Sequence, residues 1–374
     1  MKAEESSLPI LCRSRYPAFV IEIDGGQKSG SGTIVRSALT LAALLGQPLH
    51  VYNIRAKRPK PGLRAQHLTA ARAIAELTDA SLEGATLGSG EIWFRPAKVA
   101  RGGDYSWDIG SAGSTTMMAM TLLPLACFAE RPCTFRLKGG LFQDFAPSAY
   151  HTQRILLPTL VRMGVRVELR IVRPGYVPKD AGVIEVSVQP LQGKIGALSL
   201  PLRRGAVRRM SGVALSSHLQ QRRVSERMAA RCAHMLERRG YRVEFEHLYD
   251  TTAVQAGAAL AVFAETADGC LLGSDRAGAP RRTSEAIGEH VARSLLEDLD
   301  SGASVDRYLA DQLVIYAVLA EGVSHYSVPA LSEHLETNLW LVETILGAHV
   351  QVSDNSVRIE GVGFSLPPLN KEAE

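Results

Sequence analysis

Asp24-Gly25-Gly26-Gln27-Lys28-Ser29-Gly30-Ser31-Gly32-Thr33 is the stretch that decides how this chain folds. Before it runs an apolar segment, Ala18 to Ile23, with the composition of a buried strand. After it comes a longer apolar run, Ile34 to Leu45, stopped by Gly46 where a helix leaves a left-handed C′ position. Strand, glycine-rich loop and helix are followed by a second strand, Leu49 to Ile54, and a second helix, Leu63 to Leu77. Backbone N–H groups freed by such a loop, together with a helix N-terminus, make an anion site. It is not a Walker A loop, because no glycine immediately precedes the Lys28-Ser29 pair. Arg36 opposes the helix dipole, which favours acids at that end, and a bound anion would resolve the conflict.

Working outward, the same arrangement recurs. Gly110-Ser111-Ala112-Gly113-Ser114 opens a helix from Thr115 to Phe128, followed by a strand, Thr134 to Leu137, a helix, Ala149 to Met163, and a strand, Val165 to Ile171. A third unit holds helices Thr283 to Leu299 and Val305 to Leu319, a strand Ser324 to Val328, a helix Leu335 to Leu346, and strands His349 to Val352 and Ser356 to Glu360. Three similar units predict an α/β fold of the α+β type, with sheets packed on paired helices. The main domain is expected from residues 1–199 and 275–374. Residues 200–274 read as an inserted small α/β domain, with strand Ala206 to Leu215, helix Val224 to Arg239, and strands Arg242 to His247 and Leu260 to Ala264.

Composition narrows the class. At 374 residues, 46% hydrophobic and 21% charged, the chain has material for a large core. Its five cysteines (Cys12, Cys127, Cys133, Cys232, Cys270) contain no C-x-x-C pair, which argues against a disulfide framework or zinc site and fits a reducing compartment. Met1-Lys2-Ala3-Glu4-Glu5 lacks the basic-then-apolar order of a signal peptide, and no apolar run approaches ~18 residues. A cytoplasmic protein without a membrane partner is expected, with the nucleoplasm an alternative in a eukaryote. Net charge is only +4, but eleven arginines lie between Arg203 and Arg242. They read either as a solvated helix face or as a phosphate-attracting patch.

Three further features carry chemistry. Arg55-Ala56-Lys57-Arg58-Pro59-Lys60-Pro61-Gly62-Leu63 ends a strand with four cations in six residues, followed by Gln66 and His67. It is a solvated turn or a phosphate grip, and arginine's planar fork makes Arg55 and Arg58 the better ligands. Asp311 falls in Tyr308-Leu309-Ala310-Asp311-Gln312-Leu313, where a carboxylate is either satisfied by backbone or binds a hard cation such as Mg²⁺. Tyr308 either stacks a base or packs in the core, and Gln312 can hydrogen-bond one. Ser332-Glu333-His334-Leu335-Glu336-Thr337-Asn338 opens the last helix. His334 is there a capping or surface residue. Alternatively, since its position resembles that of the Gly/Ser loops in units one and two, it is a nucleophile toward phosphorus.

These segments, in this order, resemble the RNA 3′-terminal phosphate cyclase family. The matches are Asp24-Gly25, Gln27, Gly30, Gly32 and Arg36; Arg55-Ala56, Arg58, Lys60 to Leu63 and Gln66-His67; Arg101 to Tyr105 with Gly110 to Ser114; Tyr308 to Leu313; and His334-Leu335 with Thr337-Asn338. The likeness covers roughly residues 17 to 362. It implies three repeats with a small inserted domain, and a reaction in which ATP adenylates a histidine, AMP passes to an RNA 3′-phosphate, and the vicinal 2′-OH closes a 2′,3′-cyclic phosphate. By position the resemblance makes His334 the nucleophile, Tyr308, Leu309, Ala310, Asp311 and Gln312 the ATP-binding run, and Asp311 the ligand of Mg²⁺ or Mn²⁺. Arg36, Arg55, Arg58 and Gln66 would hold the terminal phosphate. RNA 3′ ends are the implied partner, and a homodimer is compatible with the family.

Several positions depart from the pattern. Ser29, after Lys28, stands where the family usually has a metal-binding glutamate, and Met120 stands for a glutamine near the nucleotide. Gln143 to Ser148 replaces an Asn-Pro and Ala-Pro-Pro segment, and Lys179 to Gly182 a triple-glycine turn. The alternative reading is a cyclase-like protein without activity, serving RNA binding or ribosome assembly; such relatives lack the histidine. A carboxyvinyl transferase of similar repeat architecture is a third reading, but its motifs are missing.

Overall fold

The computed structural model describes residues 19–179 and 181–366. Met1 to Glu5, Cys12, Ala18 and Asp180 lie outside the described residues. The first unit runs β1 (Ile21–Asp24), α1 (Gly32–Leu45), β2 (Leu49–Tyr52), α2 (Ala65–Thr78), β3 (Ser81–Glu83) and β4 (Ile92–Arg95), with sheet order β1-β2-β4-β3. β1 and β2 pair in parallel, and β4 runs antiparallel to both β2 and β3. The second unit repeats the pattern with β5 (Gly103–Asp108), α3 (Thr115–Cys127), β6 (Cys133–Gly139), α4 (Ala149–His151), α5 (Leu157–Arg162), β7 (Arg166–Arg173) and β8 (Gly182–Gln189), ordered β5-β6-β8-β7. A π-turn at Thr152–Leu156 joins α4 to α5.

The insertion follows as β9 (Val207–Ser217), α6 (Val224–Glu237), β10 (Glu244–Asp250), β11 (Gly257–Thr266), β12 (Leu271–Ala277) and α7 (Ser284–Asp300), with sheet order β10-β9-β11-β12. α7, grouped by sequence with the third unit, packs on α6, β11 and β12. The third unit is completed by α8 (Leu309–Gln312), α9 (Val314–Leu319), β13 (Glu321–Ser327), α10 (Glu333–Leu346), β14 (Val350–Ser353) and β15 (Ser356–Val362). Parallel bridges from Gly196 to Glu321 and Ser199 to His325 add an edge to the sheet β13-β15-β14. That edge takes the place of β1, so the insertion interrupts this unit after its first extended segment.

α1 explains how the repeats hold together. A helix that is apolar over most of its surface must be buried on most sides. Twelve of its residues are buried, and it touches α2, α3 and α10. The sheets cover the outside of this helical centre. α6 has the opposite character: its arginines face α7, where Arg227 pairs with Glu285 and Arg231 with Glu289, while Arg239 reaches Asp300. Three of the eleven arginines thus form a charged seam against α7 rather than part of an open cationic patch.

The mixed α/β architecture agrees with the expectation, and local differences have physical reasons. β3, β4, β5, β8 and β12 are not among the expected strands; all but β5 are antiparallel partners, and their apolar residues occur in short, polar-interrupted runs. Strand β2 stops at Tyr52 because Asn53 and Arg55 take left-handed backbone angles, φ 52° and 54°. The expected helix from Val305 to Leu319 is divided at Leu313, and its first four residues form a turn capped by Asp306, which accepts from the N–H groups of Tyr308 and Leu309 at 2.8 Å each.

Candidate active site

The N-termini of α1, α2 and α10 converge on a cleft of about 650 Å³. Arg36, Arg55, Arg58, Gln66, Tyr308, Asp311, Gln312 and His334 all line it, and so do Met120 and Thr33. Leu309 and Ala310 do not; both are buried in the core, which fixes the backbone between Tyr308 and Asp311. His334 is not at the position occupied by the first two Gly/Ser loops. It opens the second helix of its unit, as Gln66 and His67 open α2, and Tyr308 to Gln312 take the first-helix position. Convergence comes instead from packing of α10 on α1.

Ser332 caps α10, its hydroxyl accepting from Leu335 N at 3.1 Å, which sets His334 in the first turn. Thr33 Oγ1 lies 3.3 Å from His334 Nδ1, and Arg36 Nη2 donates to the same Thr33 oxygen at 3.4 Å. His334 is exposed at the cleft wall. Partial desolvation, then the Arg36 and Arg58 cations, hold its pKa below the usual 6.5, so the ring is neutral at pH 7. A neutral imidazole engaged at Nδ1 leaves Nε2 as the free lone pair when Nδ1 carries the proton.

Gly32 permits this approach of loop and helix. A Cβ there would overlap the imidazole of His67, which is buried. His67 Nδ1 accepts from Arg64 N at 3.2 Å, and burial followed by the charges of Arg36, Arg55 and Arg64 lowers its pKa to about 3. Gln66 joins the first two units, its Oε1 accepting from Ser114 N at 3.2 Å. Ser29 is buried, with its hydroxyl 3.0 Å from Ser31 Oγ and 2.9 Å from Thr337 Oγ1. Ser29 and Thr337 therefore link the first loop to α10, while Lys28 beside it is exposed.

Charge is concentrated and unequal. Arg36 is buried, and its pKa falls only to about 10, so it remains a cation. Arg55 is bound by its own loop, donating to Lys60 O at 2.7 Å and Gly62 O at 2.9 Å, and Arg58 donates to Ser29 O at 3.2 Å. Burial pushes the Asp311 carboxyl up to about 7, against the pull of Arg36. Among the described residues, no group of three or more His, Cys, Asp or Glu is placed around a metal position. One carboxylate fits a Mg²⁺ or Mn²⁺ that takes its remaining oxygens from phosphate and water, not a cage built by protein alone. Gln312 leaves both side-chain amide atoms without a partner.

Sequence reasoning did not single out Thr33, Ser31 or Asn338 for a role in the cleft. Asn338 Nδ2 donates to Asp311 O at 3.0 Å and its Oδ1 accepts from Ser37 Oγ at 3.1 Å. Nor did it find the buried pair of His151 and Asp306, Nε2 to Oδ2 3.0 Å, behind Tyr308. Hydroxyls in a loop signal caps; only the fold brings them to a histidine 301 positions away.

The RNA 3′-terminal phosphate cyclase family model matches residues 27–352. RNA 3′-terminal phosphate cyclases from Methylococcus capsulatus and Ralstonia nicotianae are each 39% identical, covering 89% and 90% of this chain and 93% and 94% of those proteins. That of Pyrobaculum neutrophilum is 34% identical over 92% of this chain and 99% of its own. Among solved structures, the enolpyruvyl transferase NikO from Streptomyces tendae gives a TM-score of 0.20 at 11% identity, covering 92% of this chain and 82% of that one, too weak a likeness to carry an argument. With its match spanning most of the chain and relatives of nearly full length, the chain belongs to the RNA 3′-terminal phosphate cyclase family.

Proposed function

We propose that this chain uses ATP to convert an RNA 3′-terminal phosphate to a 2′,3′-cyclic phosphate. The observation that carries the reading is the contact between Thr33 Oγ1 and His334 Nδ1 beside Arg36, Arg58 and Asp311. His334 Nε2 attacks the α-phosphorus, a P–N bond forms, and the bond to the β-phosphate breaks with loss of pyrophosphate. An oxygen of the RNA 3′-phosphate then displaces the imidazole, giving an anhydride with AMP. The vicinal 2′-OH attacks the RNA phosphorus and AMP departs with the bonding electrons.

Arg36, Arg55, Arg58 and Gln66 orient the RNA phosphate, and Tyr308 and Gln312 hold the nucleotide; Leu309 and Ala310 act by fixing the backbone between them. A Mg²⁺ or Mn²⁺ at Asp311 would neutralise phosphate charge. The cations lower the repulsion between anionic phosphates and the incoming nucleophile. Because RNA is met in this cleft, the arginine seam of α6 is not needed for its binding.

Incubation with ATP labelled at the α-phosphate and Mg²⁺ or Mn²⁺ tests the reading. Acid-labile label on the protein, lost in His334→Ala, is expected. No adduct with either metal, where a control cyclase labels, would leave the inactive RNA-binding alternative as the better account. Label that survives His334→Ala would move the nucleophile elsewhere.

A further inference from the structure

Phe145 is 97% exposed, the most exposed large hydrophobic side chain among the described residues, yet it stands on the wall of the cleft. Its neighbours are fixed on both sides. Before it, the Asp144 carboxylate takes a fork from Arg282, with Nη1 donating to Oδ1 at 2.8 Å and Nη2 to Oδ2 at 2.7 Å. Arg276 Nε stands 3.2 Å from the same Oδ1. Both arginines hold Asp144 below the ordinary carboxylate range, Arg282 chiefly through its hydrogen bonds. After it, Pro147 O accepts from buried Thr116 Oγ1 at 2.7 Å, and Ser148 N donates to buried Asp275 at 3.0 Å.

A phenyl ring gains by burial, and a loop held this firmly keeps this one in water. The same cleft offers a second aromatic ring, Tyr308. Two flat π-faces on one cleft suit a heteroaromatic ring, which presents a face for stacking.

We propose that Phe145 is a stacking platform for a nucleobase, and that the Asp144–Arg282 clamp is its positioning element. The inference rests on the reading of the cleft as a site for ATP and RNA ends, and it adds a contact made by the segment in which this chain departs from its family. Because Arg276 and Arg282 lie at the end of β12 and beyond it, the inserted domain sets where the platform stands.

Phe145→Trp supplies the probe, compared with the unchanged chain and its native Trp93, Trp107 and Trp340. Its emission is followed while α,β-methylene-ATP is added in one arm. In the other arm an RNA oligonucleotide ending in a 3′-phosphate is compared with one whose terminal base is removed. Quenching by the ATP analogue assigns the platform to adenine. Quenching by intact RNA but not by its abasic counterpart assigns it to the terminal RNA base. Phe145→Ala should raise Kd for that same ligand about 5- to 150-fold, the range of one lost base stack, and Phe145→Leu should not restore it. Asp144→Asn, added to the Phe145→Trp chain, should reduce the quench while the indole is retained. Binding of both ligands without quenching, with Phe145→Ala unchanged, overturns the platform and leaves the cyclase reading standing. Failure of both ligands to bind the unchanged chain overturns both.

Discussion

Thr33 and His334 belong to the first and third repeats, and Oγ1 of one meets Nδ1 of the other at 3.3 Å. A ring held at one nitrogen presents the other in a fixed direction. Thr33→Val should therefore slow formation of the labelled adduct about 10- to 100-fold, the range for losing an orienting partner, while Thr33→Ser retains most of the rate. Single-turnover labelling separates the two, and a valine variant as fast as the parent would refute the orienting role.

On the proposed reading, in which Asp311 holds a divalent ion, metal binding should depend on pH. Its folded pKa of about 7 exceeds the ordinary 3.8, so below about pH 7 a proton competes with the ion. Half-saturation by Mn²⁺ should need about tenfold more metal for each unit below that point. The stability sign follows. A carboxyl raised in the fold contributes fully below its unfolded pKa, and that contribution is lost as pH rises through about 7. Without metal, Asp311→Asn should then melt higher than the parent at pH 8, by about 1–3 kcal/mol, with the gain shrinking toward pH 5. Equal melts at pH 8 would contradict it.

Gly32 and His67 make a steric prediction. Gly32→Ala puts a Cβ into the imidazole and should destabilise the fold by about 1–3 kcal/mol. His67→Ala in the same chain should recover part of the loss. His67 also has its folded pKa depressed to about 3, so its neutral form supports the fold above 6.5, and that support is lost as pH falls from 6.5 toward 3. Thermal melts of the three chains measure both effects, and an unperturbed Gly32→Ala would show that the loop moves freely.

The arginines of α6 should matter little to RNA. Arg227→Ala and Arg231→Ala each remove an exposed pair to α7 worth about 0.2–1 kcal/mol. RNA affinity and its salt dependence should be unchanged, whereas Arg58→Ala in the cleft should lower the affinity. Filter binding across salt concentrations decides this, and a shallower salt slope for the α6 variants would return them to the RNA surface.

Much of this was legible beforehand because local chemistry and fold agree. The glycine loop, the largely apolar α1 and the capped α10 announce themselves by pattern, and Arg36, Asp311 and His334 do meet at one cleft. What was not legible depends on partners distant in sequence. The charge of Asp144 gives no hint of Arg282, nor does His151 of Asp306. β3 and β4 are short, and β8 and β12 interrupt their apolar residues with polar ones, so periodicity separates them poorly from loops. The reading of α7 failed for the same reason: its amphipathic stripe says that it packs, but not on which sheet.

The interruption of the third repeat has a temporal consequence. Its edge segment, Gly196 to Ser199, can bridge β13 only after the intervening inserted domain has been synthesised, and Thr33 must await a partner 301 positions later. Contacts of such long range form late. A chain still emerging from the ribosome holds the glycine-rich loop and its cations but not yet His334, the nucleophile of the proposed reaction. The proposed reactivity is thus armed late, after the first two repeats and the sheet of β9 to β12 have been made.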